Sequence, residues 1–178
     1  MERNIVLIGF MAVGKGRTAR ELARQSGRYA IDCDDLIESF SKMKIREIFE
    51  HLGEPHFRRL EKETGLWLEH HVRNTIISTG GGFVNVPNLK KIGVVVYLHS
   101  DFEAIVNQVM DHPQAKKKLE KRPLLKSLKK ARKLFDSRLP IYREAADLEI
   151  DVTARKTADV AGTILQGLGI APLAAKDI

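Results

Sequence analysis

Near the start of the chain, Gly9-Phe10-Met11-Ala12-Val13-Gly14-Lys15-Gly16 sets two glycines and a lysine at the spacing of a phosphate-cradling turn, G-x-x-x-x-G-K. Glycines let such a turn wrap tightly enough that successive backbone N–H groups, and the start of the next helix, face a polyphosphate. Lys15 adds a point charge at the outer phosphate oxygens. The last position departs from the pattern. A Ser or Thr hydroxyl there would ligate Mg²⁺, whereas Gly16 offers only its N–H. Thr18 is no substitute, because two residues along a helix is a rotation of about 200°. Metal binding must then lean on nucleotide oxygens, water and a carboxylate such as Asp32. A glycine-rich turn with an exposed lysine is the plainer alternative, and the surrounding elements decide between the two.

Asp32-Cys33-Asp34-Asp35 and Thr79-Gly80-Gly81-Gly82 are the other two constellations. Carboxylates at the end of a strand can hold a metal or accept a proton from a substrate hydroxyl. They can equally cap and charge the first turn of a helix, and Asp34 or Asp35 could be only that. Three successive glycines cost conformational entropy that a simple surface turn does not require, which points to close approach of a ligand to backbone. Arg58-Arg59, Arg122-Pro123 and Arg138 taken singly are ordinary surface cations, and Cys33 reads as a small filler.

The elements around these residues form a consistent frame. Asn4 to Gly9 is a short apolar run closed by glycine, suited to a strand buried on both faces, and a helix former from Ala19 to Arg24 follows. A second strand falls at Arg28 to Asp32, just before the first carboxylates. Short helices fit Asp34 to Ser41 and Ile45 to Leu52. A long helix from about Pro55 is carried by Phe57, Leu60, Thr64, Trp67, Leu68 and His71. Strands at Thr75 to Ser78, Val94 to Leu98 and Leu148 to Val152 precede a final helix near Thr157 to Leu168. Strands alternating with helices predict βαβ units and a parallel sheet within a three-layer α/β/α domain. The phosphate turn then lies between strand and helix, as its chemistry requires.

A chain of 178 residues fits one domain, here residues 1–170, with a tail over 171–178 expected to fray. No apolar run approaches the roughly 20 residues of a membrane span. The single cysteine excludes an intramolecular disulfide, and with no signal-like N-terminus the expected location is cytoplasmic. Residues 116–133 hold ten basic residues and one acid, a local charge of +9 against +7 for the whole chain, so everything else sums to about −2. No aromatic side chain is interleaved in that block for base stacking, which disfavours nucleic acid and favours an anionic small molecule.

In this order the motifs resemble the shikimate kinase family from about Asn4 to Val152. The resemblance rests on Gly9-Phe10-Met11, on Asp32-x-Asp34 with Leu36-Ile37-Glu38, and on Ile48-Phe49 leading to Gly53-Glu54 and Phe57-Arg58-x-x-Glu61. Gly80-Gly81-Gly82, Val96-Tyr97-Leu98, Arg122-Pro123-Leu124-Leu125, Arg138-x-Pro140-x-Tyr142 and Ala146-Asp147 complete it. It implies a P-loop, nucleoside-monophosphate-kinase-like fold with a five-stranded parallel sheet, a helical substrate-binding segment at about 33–62 and a lid at about 111–125. The implied activity is transfer of the ATP γ-phosphoryl group to the 3-hydroxyl of shikimate in chorismate biosynthesis, by a monomer using Mg²⁺. Lys15, Asp34 and Arg122 would be catalytic. Val13, Gly14, Lys15, Gly16, Arg17, Thr18 and Arg122 would bind nucleotide. Asp34, Arg58, Gly80, Gly81, Gly82 and Arg138 would bind shikimate, the two arginines gripping its carboxylate, and Asp32 would support the metal through water.

Against the family pattern, Gly16 and Arg17 stand where two hydroxyl residues are usual, Gln108 stands in place of an arginine, and the lid is long and carries Lys116, Lys117, Lys118 and Lys121. These departures predict a kinase of modified metal or nucleotide dependence. The alternatives are a non-catalytic or weakly active shikimate-kinase-like binding protein, a small kinase acting on gluconate or nucleotides, or nucleic-acid binding through 116–133.

Overall fold

The computed structural model describes residues 3–111, 113, 125 and 127–173. Five parallel strands run in the spatial order β2-β3-β1-β4-β5: β1 (Asn4–Ile8), β2 (Ala30–Asp32), β3 (Ile76–Ser78), β4 (Gly93–His99) and β5 (Leu148–Asp151). β1 lies at the centre, pairing with β3 on one side and β4 on the other. All five of its residues are buried, which is why Ile5–Ile8 is a continuous apolar run rather than an alternating one, while the buried Asn4 amide is satisfied by the Val72 and Ile92 carbonyls.

The helices that cover the sheet are α1 (Lys15–Ser26), α2 (Cys33–Ser41), α3 (Ile45–His51), α4 (Gly53–His71), α5 (Leu89–Ile92), α6 (Phe102–Met110), α7 (Leu128–Ala145) and α8 (Thr157–Gly167). A 3₁₀ turn spans Phe83–Asn85. The main core is built on the strands and on a ring cluster of Phe10, Phe102 and Phe135, with centroids 5.3–6.4 Å apart. A second, smaller cluster of Ile37, Ile48, Phe57 and Leu60 holds α2, α3 and the first half of α4 together, over residues 33–62.

Boundaries shift modestly from the sequence reading. α4 starts at Gly53, two residues before Pro55, because a proline is tolerated anywhere in a first turn whose N–H groups have no helical partner. β2 begins at Ala30 rather than Arg28. Helices α5, α6 and α7 escape the sequence reading altogether. In α7 the buried positions Ala131, Phe135 and Tyr142 are diluted by cations. Of the segment expected to fray, Ala171–Leu173 is described, and the Leu173 N–H donates to the Gln25 carbonyl at 2.7 Å, tying the chain to the end of α1. Most of the proposed lid, Arg122 included, lies outside the described residues.

Because β2, β3 and β1 are neighbours, their carboxyl ends deliver Asp32, the glycine triplet and the phosphate turn to one stretch of the same sheet edge. In open α/β sheets, ligands bind in the crevice outside those ends.

Candidate active site

The phosphate turn is built by its two glycines. Gly14 caps α1 with φ near +110°, a backbone state that side chains resist. A Cβ on Gly9 would lie 2.6 Å from the Leu98 carbonyl oxygen, so no larger residue fits there. Lys15 is 8% exposed, and its Nζ donates to the carbonyls of Gly9 at 2.7 Å and Phe10 at 2.9 Å, placing the ammonium across the turn.

Gly16 is different. A Cβ at that position would meet Arg20 Nη1 and Asp32 Oδ2 at 3.7 Å and Ser78 Oγ at 3.8 Å, all ordinary contacts. Space does not force the glycine. Arg17 folds back over the turn, with Nη2 3.5 Å from where a Cβ of Gly14 would sit.

At the end of β2, Asp32 caps α2: its Oδ1 accepts from the Asp34 N–H at 2.9 Å, and its Oδ2 accepts from Ser78 Oγ at 2.7 Å. The capping duty left open between Asp34 and Asp35 therefore belongs to Asp32. Asp35 is exposed, and Asp34 lines the cavity. Burial, reinforced by the Asp32 charge and opposed by Lys15, pushes the Asp34 carboxyl up to about 6. Burial and the surrounding carboxylates push the Cys33 thiol well up, so it stays a neutral core filler.

The three glycines after β3 each face a different charged side chain. A Cβ on Gly80 would lie 2.7 Å from Asp34 Oδ1, and one on Gly81 would lie 3.3 Å from Arg138 Nη1. One on Gly82 would run into the Arg58 guanidinium. The triplet is thus the floor on which a carboxylate and two guanidinium groups close, which accounts for its composition more specifically than a flexible turn would.

Arg58 is held from two sides: Nη1 donates to Glu61 Oε2 at 2.6 Å, and Nε and Nη2 donate to Glu54 Oε1 at 3.1 and 2.7 Å. Glu61 is 2% exposed, and among the described residues its Oε1 has no hydrogen-bond partner. Burial raises its carboxyl above the usual range, with Arg58 pulling the other way.

Lys15, Asp34, Arg58, Gly80–Gly82 and Arg138 all line one cavity of about 390 Å³, walled on its apolar side by Ile45, Phe49 and Phe57. A second cavity of about 300 Å³ shares Gly14, Arg17 and Gln108 with the first and takes in Val13, Thr18, Thr153 and Arg155. The expected site residues that are described therefore divide between two cavities that share part of their lining, with Val13 and Thr18 in the second. Glu61, Ser78 and the aromatic wall had no role in the sequence reading. Glu61 and Arg58 stand three apart on α4, a spacing that reads as an ordinary surface ion pair until its burial is known.

A glycine-rich phosphate turn and a charged acceptor cavity, on one carboxyl edge of a five-stranded parallel sheet, define a P-loop phosphotransferase of the nucleoside-monophosphate-kinase-like fold. A family model for shikimate kinase matches residues 11–169. A shikimate kinase of Helicobacter hepaticus is 42% identical over 79% of this chain and 81% of its own, and one of Caldanaerobacter subterraneus is 36% identical over 92% and 95%. The structure of Acinetobacter baumannii shikimate kinase in complex with shikimate superposes with a TM-score of 0.82 at 33% identity, covering 94% of this chain and 93% of that one. The Aquifex aeolicus shikimate kinase structure gives 0.77 at 32%, covering 93% and 96%. The chain belongs to the shikimate kinase family, whose members are ATP-dependent kinases that phosphorylate a shikimate hydroxyl. No helix among the described residues is long and apolar enough to cross a membrane.

Proposed function

We propose that the chain transfers the γ-phosphoryl group of ATP to the 3-hydroxyl of shikimate, with the residue roles that follow. The triphosphate lies over the Gly9–Gly16 turn, against its backbone N–H groups and Lys15, and the nucleoside occupies the second cavity. Shikimate occupies the first. Arg58 and Arg138 pair with its carboxylate, since a planar guanidinium matches a carboxylate in two parallel hydrogen bonds. Asp34 accepts hydrogen bonds from the ring hydroxyls and takes the proton of the attacking one. Its oxygen 2.7 Å from the Cβ site of Gly80 places it at the same floor as the arginines. Phosphoryl transfer is chiefly positioning and charge neutralisation, and Lys15 and Arg17 supply fixed positive charge on the phosphate side.

Mg²⁺ would be supported by Asp32 through water, in reach of Ser78 and without a hydroxyl from position 16. Among the described residues no group of three or more His, Cys, Asp or Glu side chains forms a metal cluster, so the site suits an ion held mainly by nucleotide oxygens and water. Such an ion neutralises charge on the phosphates.

The observation that carries this reading is the convergence of Lys15, Asp34, Arg58 and Arg138 on one cavity. The arginines also separate it from a nucleotide kinase, whose acceptor carries no carboxylate for them to grip, and the match to the shikimate kinase family model favours shikimate over gluconate. The test is direct detection of ADP and phosphorylated shikimate with ATP, Mg²⁺ and purified protein. Shikimate-dependent ADP formation is expected. Arg58→Ala should raise the shikimate KM about thirtyfold or more, the value of a charge-assisted pair. Bound shikimate without turnover would instead favour the non-catalytic binding protein.

A further inference from the structure

Tyr142 has no part in the reaction as set out above, yet its hydroxyl does something no packing requirement explains. The ring is buried and stacks on Tyr97 at 5.2 Å and 22° between planes, a contact that phenylalanine would make equally well. The hydroxyl donates to the carbonyl of Gly81 at 2.5 Å, across 61 residues of sequence.

That carbonyl is the one of the glycine triplet that local structure does not hold. The Gly80 carbonyl accepts from the Phe83 N–H at 3.1 Å, and the Gly82 carbonyl accepts from both the N–H and the side-chain amide of Asn85 at 3.1 Å. Gly81 is anchored instead from α7. A peptide unit is planar, so pinning this oxygen also sets the direction of the Gly82 N–H in the same plane. Arg138 stands four residues before Tyr142 on one face of α7, with Nη1 3.3 Å from the Cβ site of Gly81. Burial pushes the Tyr142 phenol up to about 12 while the neighbouring Arg138 cation pulls against it, so the hydroxyl remains a donor throughout the working pH range.

We propose that Tyr142 is a positioning residue for the acceptor substrate. It locks the Gly81–Gly82 peptide against the Arg138 guanidinium, so that backbone and cation meet the substrate carboxylate in one fixed arrangement. This rests on the reading of the first cavity as the shikimate site.

The experiment compares Tyr142→Phe with Tyr97→Phe. Tyr97 is the stacked partner, whose hydroxyl points instead to His99 at 3.0 Å. Tyr142→Phe should raise the shikimate KM about tenfold, the size of one lost hydrogen bond to a fixed group, while the ATP KM stays within about twofold. Tyr97→Phe should leave both within about twofold. A shikimate KM unchanged in Tyr142→Phe, or both KM values rising together in it, overturns the assignment. Failure of the wild-type protein to phosphorylate shikimate would sink the functional reading instead, so the two are separable. If Tyr142→Phe does not fold, the wild-type chain labelled with 3-fluorotyrosine carries three ¹⁹F resonances, one per tyrosine. The Tyr142 signal should move on adding shikimate and hold still with a non-hydrolysable ATP analogue; a signal indifferent to shikimate refutes the proposal.

Discussion

Replacing Gly16 by serine tests the one place where this chain departs from the chemistry of its own phosphate turn. The position tolerates the change: the nearest atoms to a new Cβ are 3.7–3.8 Å away, and Gly16 is the second residue of α1 with no left-handed backbone to strain. The added hydroxyl would stand beside Asp32 Oδ2 and Ser78 Oγ, the pair proposed to support the metal through water. An interaction with a charged partner is worth roughly 1.5–3 kcal/mol, which corresponds to a ten- to hundredfold change in an equilibrium constant. Gly16→Ser should therefore lower the Mg²⁺ concentration for half-maximal shikimate phosphorylation at least about tenfold, and raise turnover at limiting metal. Exchanging glycine for serine inside a helix adds about 0.5 kcal/mol, or roughly 1–2 °C in Tm for a chain of this size. The assay is a Mg²⁺ titration with direct chromatographic detection of ADP, because coupling enzymes have metal requirements of their own. An unchanged midpoint, or a fall in rate with the fold intact, would refute the reasoning. It would mean that Arg17 and Arg20 have rebuilt the site around the glycine.

Three further outcomes follow from the site. Gly82→Ala puts a methyl group into the Arg58 guanidinium, the movable end of a flexible side chain, so Tm should fall by less than about 3 °C while the shikimate KM rises about tenfold or more; a large Tm loss with an unaltered KM would contradict this. Asp34 titrates at about 6 in the fold against an ordinary 3.8, so activity that needs its ionised form should rise with pH through about 6. The same elevated value means that Asp34 favours the folded state below about pH 4, and that this contribution is lost as pH rises through about 6. Asp34→Asn, neutral throughout, should then abolish turnover yet raise stability at pH 7–8 by up to about 3 kcal/mol, measured by denaturant titration. Wild-type-like stability in that variant would show that burial does not strain the carboxylate.

Much of the site was legible because its chemistry dictates sequence. A phosphate turn needs glycines at fixed spacing and a lysine, and a floor under three charged groups needs residues with no side chain. Asp34 stands out among carboxylates at a strand end, but the roles expected of Arg58 and Arg138 come only from a resemblance, since nothing in the local spacing of an isolated arginine tells a ligand from a solvated surface charge. What stayed hidden depends on burial and on distant pairing. Glu61 looks like half of a helix-surface ion pair until the fold buries it against the glycine triplet after β3. Tyr142 looks like one more core aromatic until the fold brings α7 against the loop after β3. Asp34 and Asp35 each read as a possible cap of α2, and only the Asp34 N–H bond to Asp32 Oδ1 in the folded chain assigns that duty to Asp32. The cation-rich run of α7 concealed an amphipathic helix because buried positions there are sparse.

The ammonium of Lys15 already engages the Gly9 and Phe10 carbonyls, so under the proposed function one cation would both brace the turn and meet the incoming phosphates. Arrival of a triphosphate would then amount to an exchange of partners at a preloaded clamp. Truncating Lys15 would slacken the receptacle as well as remove a contact, so the affinity lost by such a variant would overstate the worth of the lysine–phosphate bond itself.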